Sequence, residues 1–267
     1  MHWTIFASPT ELAVTALAVV LVGLSKGGLG GMSLLGVPLM ALVMPPVTAA
    51  AILLPVLVVM DVVSVASWRA WVDWQIMRRV MPGAVAGIGI GWASAELVSD
   101  SAVRLVVGLV SLAFVGRALV GTGQGATLAG ARPAAARFWG GLAGYTSFVA
   151  HAGAPPLQIY MMPLRLDPKL FTGTTVMFFA VTNALKLIPY AALGEFGADN
   201  LARAAAMLPL AVGATWLGGW VVRICAPASS IPSPMPRWRW SGSSWSGTGW
   251  PGSRPHTHEV FPFPVFP

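Results

Sequence analysis

Two apolar stretches of this chain are each broken by a cluster of helix-breaking residues, and the breaks recur at a constant offset. The first reads Gly23-Leu24-Ser25-Lys26-Gly27-Gly28-Leu29-Gly30-Gly31 and is followed by Pro38 and Pro45-Pro46; the second runs from Gly144 through His151-Ala152-Gly153-Ala154-Pro155-Pro156 to Asp167-Pro168. A shift of 122 residues carries Ser25 onto Ser147, Gly31 onto Gly153, Pro46 onto Pro168, Asp61 onto Asn183, Trp68 onto Tyr190, Asp73 onto Glu195 and Gly91 onto Gly213. Such a chain folds as two like halves. Backbone broken inside an apolar segment must find hydrogen-bond partners away from lipid, so both breaks belong in the protein interior or along a cavity.

The flanking composition says which solvent the halves face. Hydrophobic residues make up 56% of the chain and charged ones 9%, with a mean hydropathy of +0.73. A water-soluble fold of this content would expose large apolar patches, whereas a bilayer accepts that surface. The expected fold class is therefore all-α, a polytopic integral membrane protein whose partner is the lipid bilayer. The net charge of +7 forms no continuous basic stripe, which argues against nucleic acid. Met1 to Thr10 has no basic region ahead of the apolar run, so the first segment is expected to stay in the mature protein. Cys225 is the single cysteine, which excludes an intrachain disulfide and a cysteine metal cluster.

Apolar stretches run from Leu12 to Lys26, Met32 to Met44, Val47 to Ser67, Val80 to Val98, Ala102 to Gly121, Phe138 to Ala150, Ala154 to Leu164, Leu170 to Leu193 and Leu201 to Val222, about nine segments in all. Met32 to Met44 and Ala154 to Leu164 fall short of the ~20 residues of a straight crossing and read as half-helices. Basic residues gather in alternate connections: Lys26; Arg69, Arg78 and Arg79; Arg132 and Arg137; Arg165 and Lys169; Arg223. The positive-inside rule then puts these connections in the cytoplasm and the N-terminus outside. Four segments per half plus one between them make the halves, about 12–98 and 134–220, inverted repeats, each with a Gly/Pro-broken helix. The repeat calls for a further span near 224–243, but residues 224–267 turn to Pro, Ser, Trp and Phe-Pro pairs. This tail reads as a disordered or frameshifted end, or as an interfacial segment, apart from a transporter domain over 1–223.

The breaks carry the chemistry. Gly27, Gly28, Gly30 and Gly31 permit unwound backbone beside Ser25 and the cation Lys26, and a helix restarting near Leu29 to Ser33 would aim free N–H groups at the break, where an anion can sit. Packing is the alternative: Gly23, Gly27 and Gly31 fit small-xxx-small spacing, with Lys26 snorkelling to the interface. In the second break His151, Gly153 and Pro155 leave backbone groups for water, substrate or each other, with His151 able to hydrogen-bond an anion or serving a structural role. Asp61 lies inside a span as the repeat mate of Asn183, with Lys186 one turn on. It is either the carrier of a coupling proton or the partner of Lys26, Lys186 or a loop arginine in an ion pair. Thr174, Thr175 and Thr182 add uncharged donors to the Asn183 helix, and Gly83, Gly87 and Gly91 read as a packing stripe. The histidines show no metal-ligand spacing, no cofactor motif is present, and no catalytic constellation supports an enzyme.

The Gly23 to Gly31 break, Leu34-Leu35-Gly36-Val37-Pro38 after it, His151 to Pro156, and the helix from Thr174 to Tyr190 together resemble the sulfite exporter TauE/SafE family over about residues 10 to 223. The resemblance implies an inner-membrane carrier of small anions, commonly oxidised sulfur compounds such as sulfite or organosulfonates. The family pattern closes on a further hydrophobic helix, which residues 224–267 do not spell.

Read together, these features point to a secondary transporter with a small anion substrate bound where the breaks meet, by Ser25, Lys26, Gly27, Gly28, Gly30, Gly31, His151, Gly153, Pro155 and Asn183. A passive anion channel needs the same site without alternating access, and a non-transporting scaffold would use the glycines for packing alone. The orientation is testable by single cysteines in a Cys225→Ser background. Arg78→Cys and Arg132→Cys should resist an impermeant thiol reagent in intact cells while Asp199→Cys reacts; the reverse labelling pattern would overturn it.

Overall fold

The computed structural model describes residues 5–29, 31–95 and 132–225, with scattered positions between 97 and 116. The segment from Ala102 to Gly121 thus falls largely, and the tail beyond Cys225 wholly, outside the described residues. The described elements are helical: α1 (Pro9–Leu24), a π turn (Ser25–Leu29), a 3-10 turn (Met32–Leu35), α2 (Gly36–Met40), α3 (Pro46–Trp68), α4 (Trp74–Ala93), α5 (Pro133–Ala150), α6 (Ala154–Met161), a 3-10 turn (Met162–Leu164), α7 (Pro168–Ala192) and α8 (Ala198–Cys225). The order of α1 to α4 recurs in α5 to α8, and the first residues of α3 and α7, Pro46 and Pro168, stand at the repeat offset.

Local chemistry sets where the helices start. Ser8 caps α1 by accepting from the Glu11 N–H at 3.1 Å, and the Glu11 carboxylate reaches back to the Ala7 N–H at 2.8 Å, a reciprocal cap. Proline occupies the first turn of α1, α3, α5, α6 and α7, where its missing N–H is no loss. Asp73 caps α4 through the Gln75 and Ile76 N–H groups at 2.9 and 3.0 Å. That cap pulls the helix start back to Trp74 through the polar Arg78 and Arg79, ahead of the expected Val80.

Four helices are long and apolar enough to cross a bilayer: Pro9–Gly28, Pro46–Trp68, Pro168–Ala192 and Ala198–Val222, of 20, 23, 25 and 25 residues. At ~1.5 Å per residue each reaches the ~30 Å of the hydrocarbon core. α2 and α6, of 5 and 8 residues, do not. The expectation of about nine hydrophobic segments therefore resolves, among the described residues, into four spans, two short helices and the glycine-rich pair α4 and α5. Arg78, Arg79 and Arg137 lower the hydropathy of that pair, and its glycines serve close packing.

α3 is buried along most of its length, from Ala49 to Leu54 and on through Val56, Leu57 and Met60, and packs against α7 and α8. α1 packs on α8, and α4 on α5. In both pairs the backbones nearly touch. A Cβ on Gly83 or Gly87 would run into the carbonyls of Arg137 or Gly141, and one on Gly140 or Gly144 into those of Val80 or Ala84. On the other pair, Gly23 faces the Ala214 methyl and Gly218 faces the Leu24 carbonyl. Arg203 pins the far end of the α1 and α8 pair, holding the Glu11 carboxylate at 2.9 Å and the Ile5 carbonyl at 3.1 Å.

Gly89 lies two residues from Gly87 with nothing near its missing Cβ. Gly87→Ala should lower stability by ~1–3 kcal/mol through overpacking, while Gly89→Ala should be neutral or stabilising by up to ~1 kcal/mol from helix propensity. Thermal unfolding of the detergent-solubilised protein reads both, and equal shifts would refute the tight crossing.

Candidate functional site

Each break is built differently. In the first, the chain leaves α1 through the π turn and reverses at Gly28 (φ 133°) and Gly31 (φ 76°), both in the region that a side chain penalises. Gly31 has open space around it, so its glycine is conformational. Gly27 instead lies against the backbone of Thr215 to Gly219, where any Cβ would clash. The proposed stripe of Gly23, Gly27 and Gly31 therefore divides: two members pack against α8 and the third bends the chain. Gly30 lies outside the described residues.

In the second break the left-handed residue is His151 itself (φ 52°), a conformation costing a non-glycine residue ~1–3 kcal/mol. It ends α5 with a Schellman-type closure, the Ala152 N–H donating to the Thr146 carbonyl and the His151 N–H to that of Ser147, both at 3.1 Å. Gly153, expected in the unwound part, has ordinary helical angles (φ −78°, ψ −12°) and opens α6. Its missing Cβ makes room for the Ala143 carbonyl and the Ser147 side chain. Pro155 is buried in the first turn of α6.

Side chains of α3 and α7 tie both breaks down. Ser64 donates to the Lys26 carbonyl at 3.0 Å, and Tyr190 to the Phe148 carbonyl at 2.7 Å, so the carbonyls freed where each helix stops are satisfied at equivalent places. Lys26 turns inward. Its ammonium pairs with one oxygen of Asp61, and the Asn183 amide donates to the other at 2.6 Å. Asp61 and Asn183, repeat mates, thus touch each other. Asp61 is 3% exposed and the Lys26 side chain 10%, with Nζ 5.3 Å from the Phe179 ring centre. The ion-pair alternative for Asp61, with Lys26 as partner, is the one this geometry contains.

Lys186, 0% exposed, serves a second network. Its Nζ lies 2.9 Å from the Ser147 carbonyl, 3.0 Å from the Ser147 Oγ and 2.8 Å from His151 Nδ1. His151 Nε2 is 3.0 Å from the Ala50 carbonyl on α3, which fixes the imidazole between the two halves. Thr174 and Thr182 are structural: the Thr174 hydroxyl accepts from the Asp73 N–H at 2.9 Å, and that of Thr182 donates back to Phe178 at 2.9 Å.

The two breaks and the facing sides of α3, α6 and α7 line a partly open cavity of about 130 Å³. Of the residues singled out from sequence, Ser25, Lys26, Gly28, Gly31, His151, Thr175 and Asn183 line it; Asp61 and Lys186 stand behind as partners, while Gly27, Gly153 and Pro155 are packing residues. Ser33, Gln158, Thr172 and Phe179, which carry no signal in the sequence, also line it. Gln158 and Thr172 sit on short or amphipathic helical stretches whose facing could not be assigned without knowing the turn made at His151. Ala49 and Ala50 on α3 are buried, whereas their repeat mates Phe171 and Thr172 on α7 face the cavity.

No curated protein and no solved structure matches the chain. The family model described as sulfite exporter TauE/SafE matches residues 15–229, a stretch that takes in both breaks, the Lys26, Asp61 and Asn183 contact and the Lys186 and His151 network. With helices fit to span a bilayer on either side of that centre, the chain is a multi-pass membrane protein and belongs to the sulfite exporter TauE/SafE family of transporters.

Proposed function

We propose that this protein is a secondary carrier of a small oxidised sulfur anion, sulfite or an organosulfonate, which binds between the two breaks. The observation that carries the reading is the shared cavity: two broken helices, one from each half, meet at a space of small-anion size edged by Lys26, His151 and Asn183. The transporter domain would be residues 1–223, with 224–267 apart from it.

Alternating access fits the same features. Two inverted repeats, 12–98 and 134–220, would exchange roles as the carrier turns over. The contact of Asp61 with Asn183 supports this, because repeat mates that touch must lie near the axis relating the halves. The unequal burial of Ala49 and Ala50 against Phe171 and Thr172 supports a state open on one side and sealed on the other, which favours a carrier over a channel. Asp61 or Lys186 would carry the coupling proton if transport is proton-linked. The orientation would be that of an inner-membrane protein with its N-terminus outside.

Lys26 is the decisive residue. Lys26→Ala should strand Asp61 as a buried unpaired charge and destabilise the protein by ~3–5 kcal/mol. The double variant Lys26→Ala/Asp61→Asn should recover thermal stability yet bind sulfite at least about tenfold more weakly than the parent, with Lys26→Arg between them. Sulfite binding and proteoliposome flux check this. A double variant that transports like the parent would reduce Lys26 to a counter-ion for Asp61 and remove the anion site.

A further inference from the structure

The charge inventory around the cavity specifies the valence of what it binds, an inference that rests on the anion site proposed above. Three acceptors surround Lys186 Nζ within 3.0 Å, one for each N–H of an ammonium. An ammonium donating to His151 Nδ1 requires that nitrogen to carry no proton. The imidazole proton then sits on Nε2, where the Ala50 carbonyl accepts it; Nδ1 also lies 3.2 Å from the Ser147 carbonyl, and with the shared proton on Nδ1 instead Lys186 is the neutral partner, so the pair carries one positive charge either way. Lys26 is the other cation, and Asp61 is the single carboxylate among the described residues that pairs with either lysine. One positive charge is left without a counter-charge among these buried groups.

A second observation concerns the donors. Lys26 and Asn183 each give one N–H to Asp61, and His151 Nε2 faces the Ala50 carbonyl, which leaves the Lys26 ammonium further N–H groups for a ligand beside the neutral donors. The polar side chains on the cavity wall that make no hydrogen bond among the described residues are neutral, with Ser33, Gln158 and Thr172 among them. Neutral donors orient oxygens without adding charge. We infer that the site is selective for monovalent oxyanions over divalent ones, so that sulfite enters as hydrogensulfite: one surplus charge neutralises a monoanion, and Ser33, Gln158 and Thr172 hold its oxygens. A dianion would leave a negative charge uncompensated where hydration is poor, a cost that hydrogen bonds from neutral groups do not offset.

The test is competitive binding to the purified full-length protein in lipid nanodiscs, with methanesulfonate as a permanent monoanion and sulfate as a dianion of similar oxygen geometry. Methanesulfonate should bind at least about tenfold more tightly than sulfate. Asp61→Asn, which leaves two surplus positive charges, should shrink that ratio by about tenfold by favouring the dianion. Gln158→Leu should weaken methanesulfonate several-fold and leave the ratio unchanged. Sulfate binding as tightly as methanesulfonate in the parent protein would overturn the valence inference while leaving the anion site standing. A ratio unmoved by Asp61→Asn would overturn the charge count behind it, and an unchanged methanesulfonate affinity in Gln158→Leu would overturn that residue's role. Binding of neither probe would remove the anion site and this inference together.

Discussion

A lysine and an aspartate inside a membrane protein are each expensive to bury, and their attraction offsets that cost only when the geometry is close and the remaining lone pairs are filled. Lys26 and Asp61 meet both conditions: the carboxylate has the ammonium on one oxygen and the Asn183 amide on the other. The pair joins the first break to α3, and Asn183 joins α3 to α7. Three elements from both halves are thereby held at one point. Lys186 repeats the theme from the other half, anchoring the end of α5 through Ser147 and the turn at His151. The cavity lies between these two anchors, so its position follows from where the buried charges had to find partners.

Small residues make that arrangement possible. Broken helices free backbone carbonyls, and Ser64 and Tyr190 satisfy two of them only because α3 and α7 come close. Closeness in turn depends on the glycine-lined crossings of α1 with α8 and of α4 with α5, where a methyl group would meet a carbonyl oxygen. In lipid, where helices gain little from burying apolar surface against one another, such van der Waals fit is the main attraction between them. Gly28 and Gly31 do a different task, turning the chain through angles closed to other residues.

Much of this was legible in sequence because it depends on spacing. The offset repeat located both breaks and singled out Asp61 with Asn183, which prove to be in contact, and the packing stripe of Gly83, Gly87 and Gly91 faces a neighbouring helix or side chain. What could not be read depends on dihedral angles and helix rotation. Nothing in the string His151-Ala152-Gly153 reveals that the histidine rather than the glycine takes the left-handed turn; the hydrogen bonds to Ala50 and Lys186, about a hundred residues of fold closure away in one case, decide it. Gly27 and Gly31 look alike in sequence, yet one packs and the other bends. The start of α4 lies at Trp74, ahead of the apolar run from Val80, because the Asp73 cap and not apolarity sets it. Ser33 and Gln158 carried no signal, since a neutral polar residue on a short helix is unremarkable until the cavity is seen.

The central claim is that the two breaks form one anion site beside the Lys26 and Asp61 pair. The most direct measurement is an electron-microscopy map of the protein in nanodiscs with and without saturating sulfite. The account predicts added density in the cavity, within hydrogen-bonding distance of the Lys26 ammonium and of Ser33 or Gln158. Density elsewhere, or a cavity unchanged at a sulfite concentration that saturates transport, would contradict it.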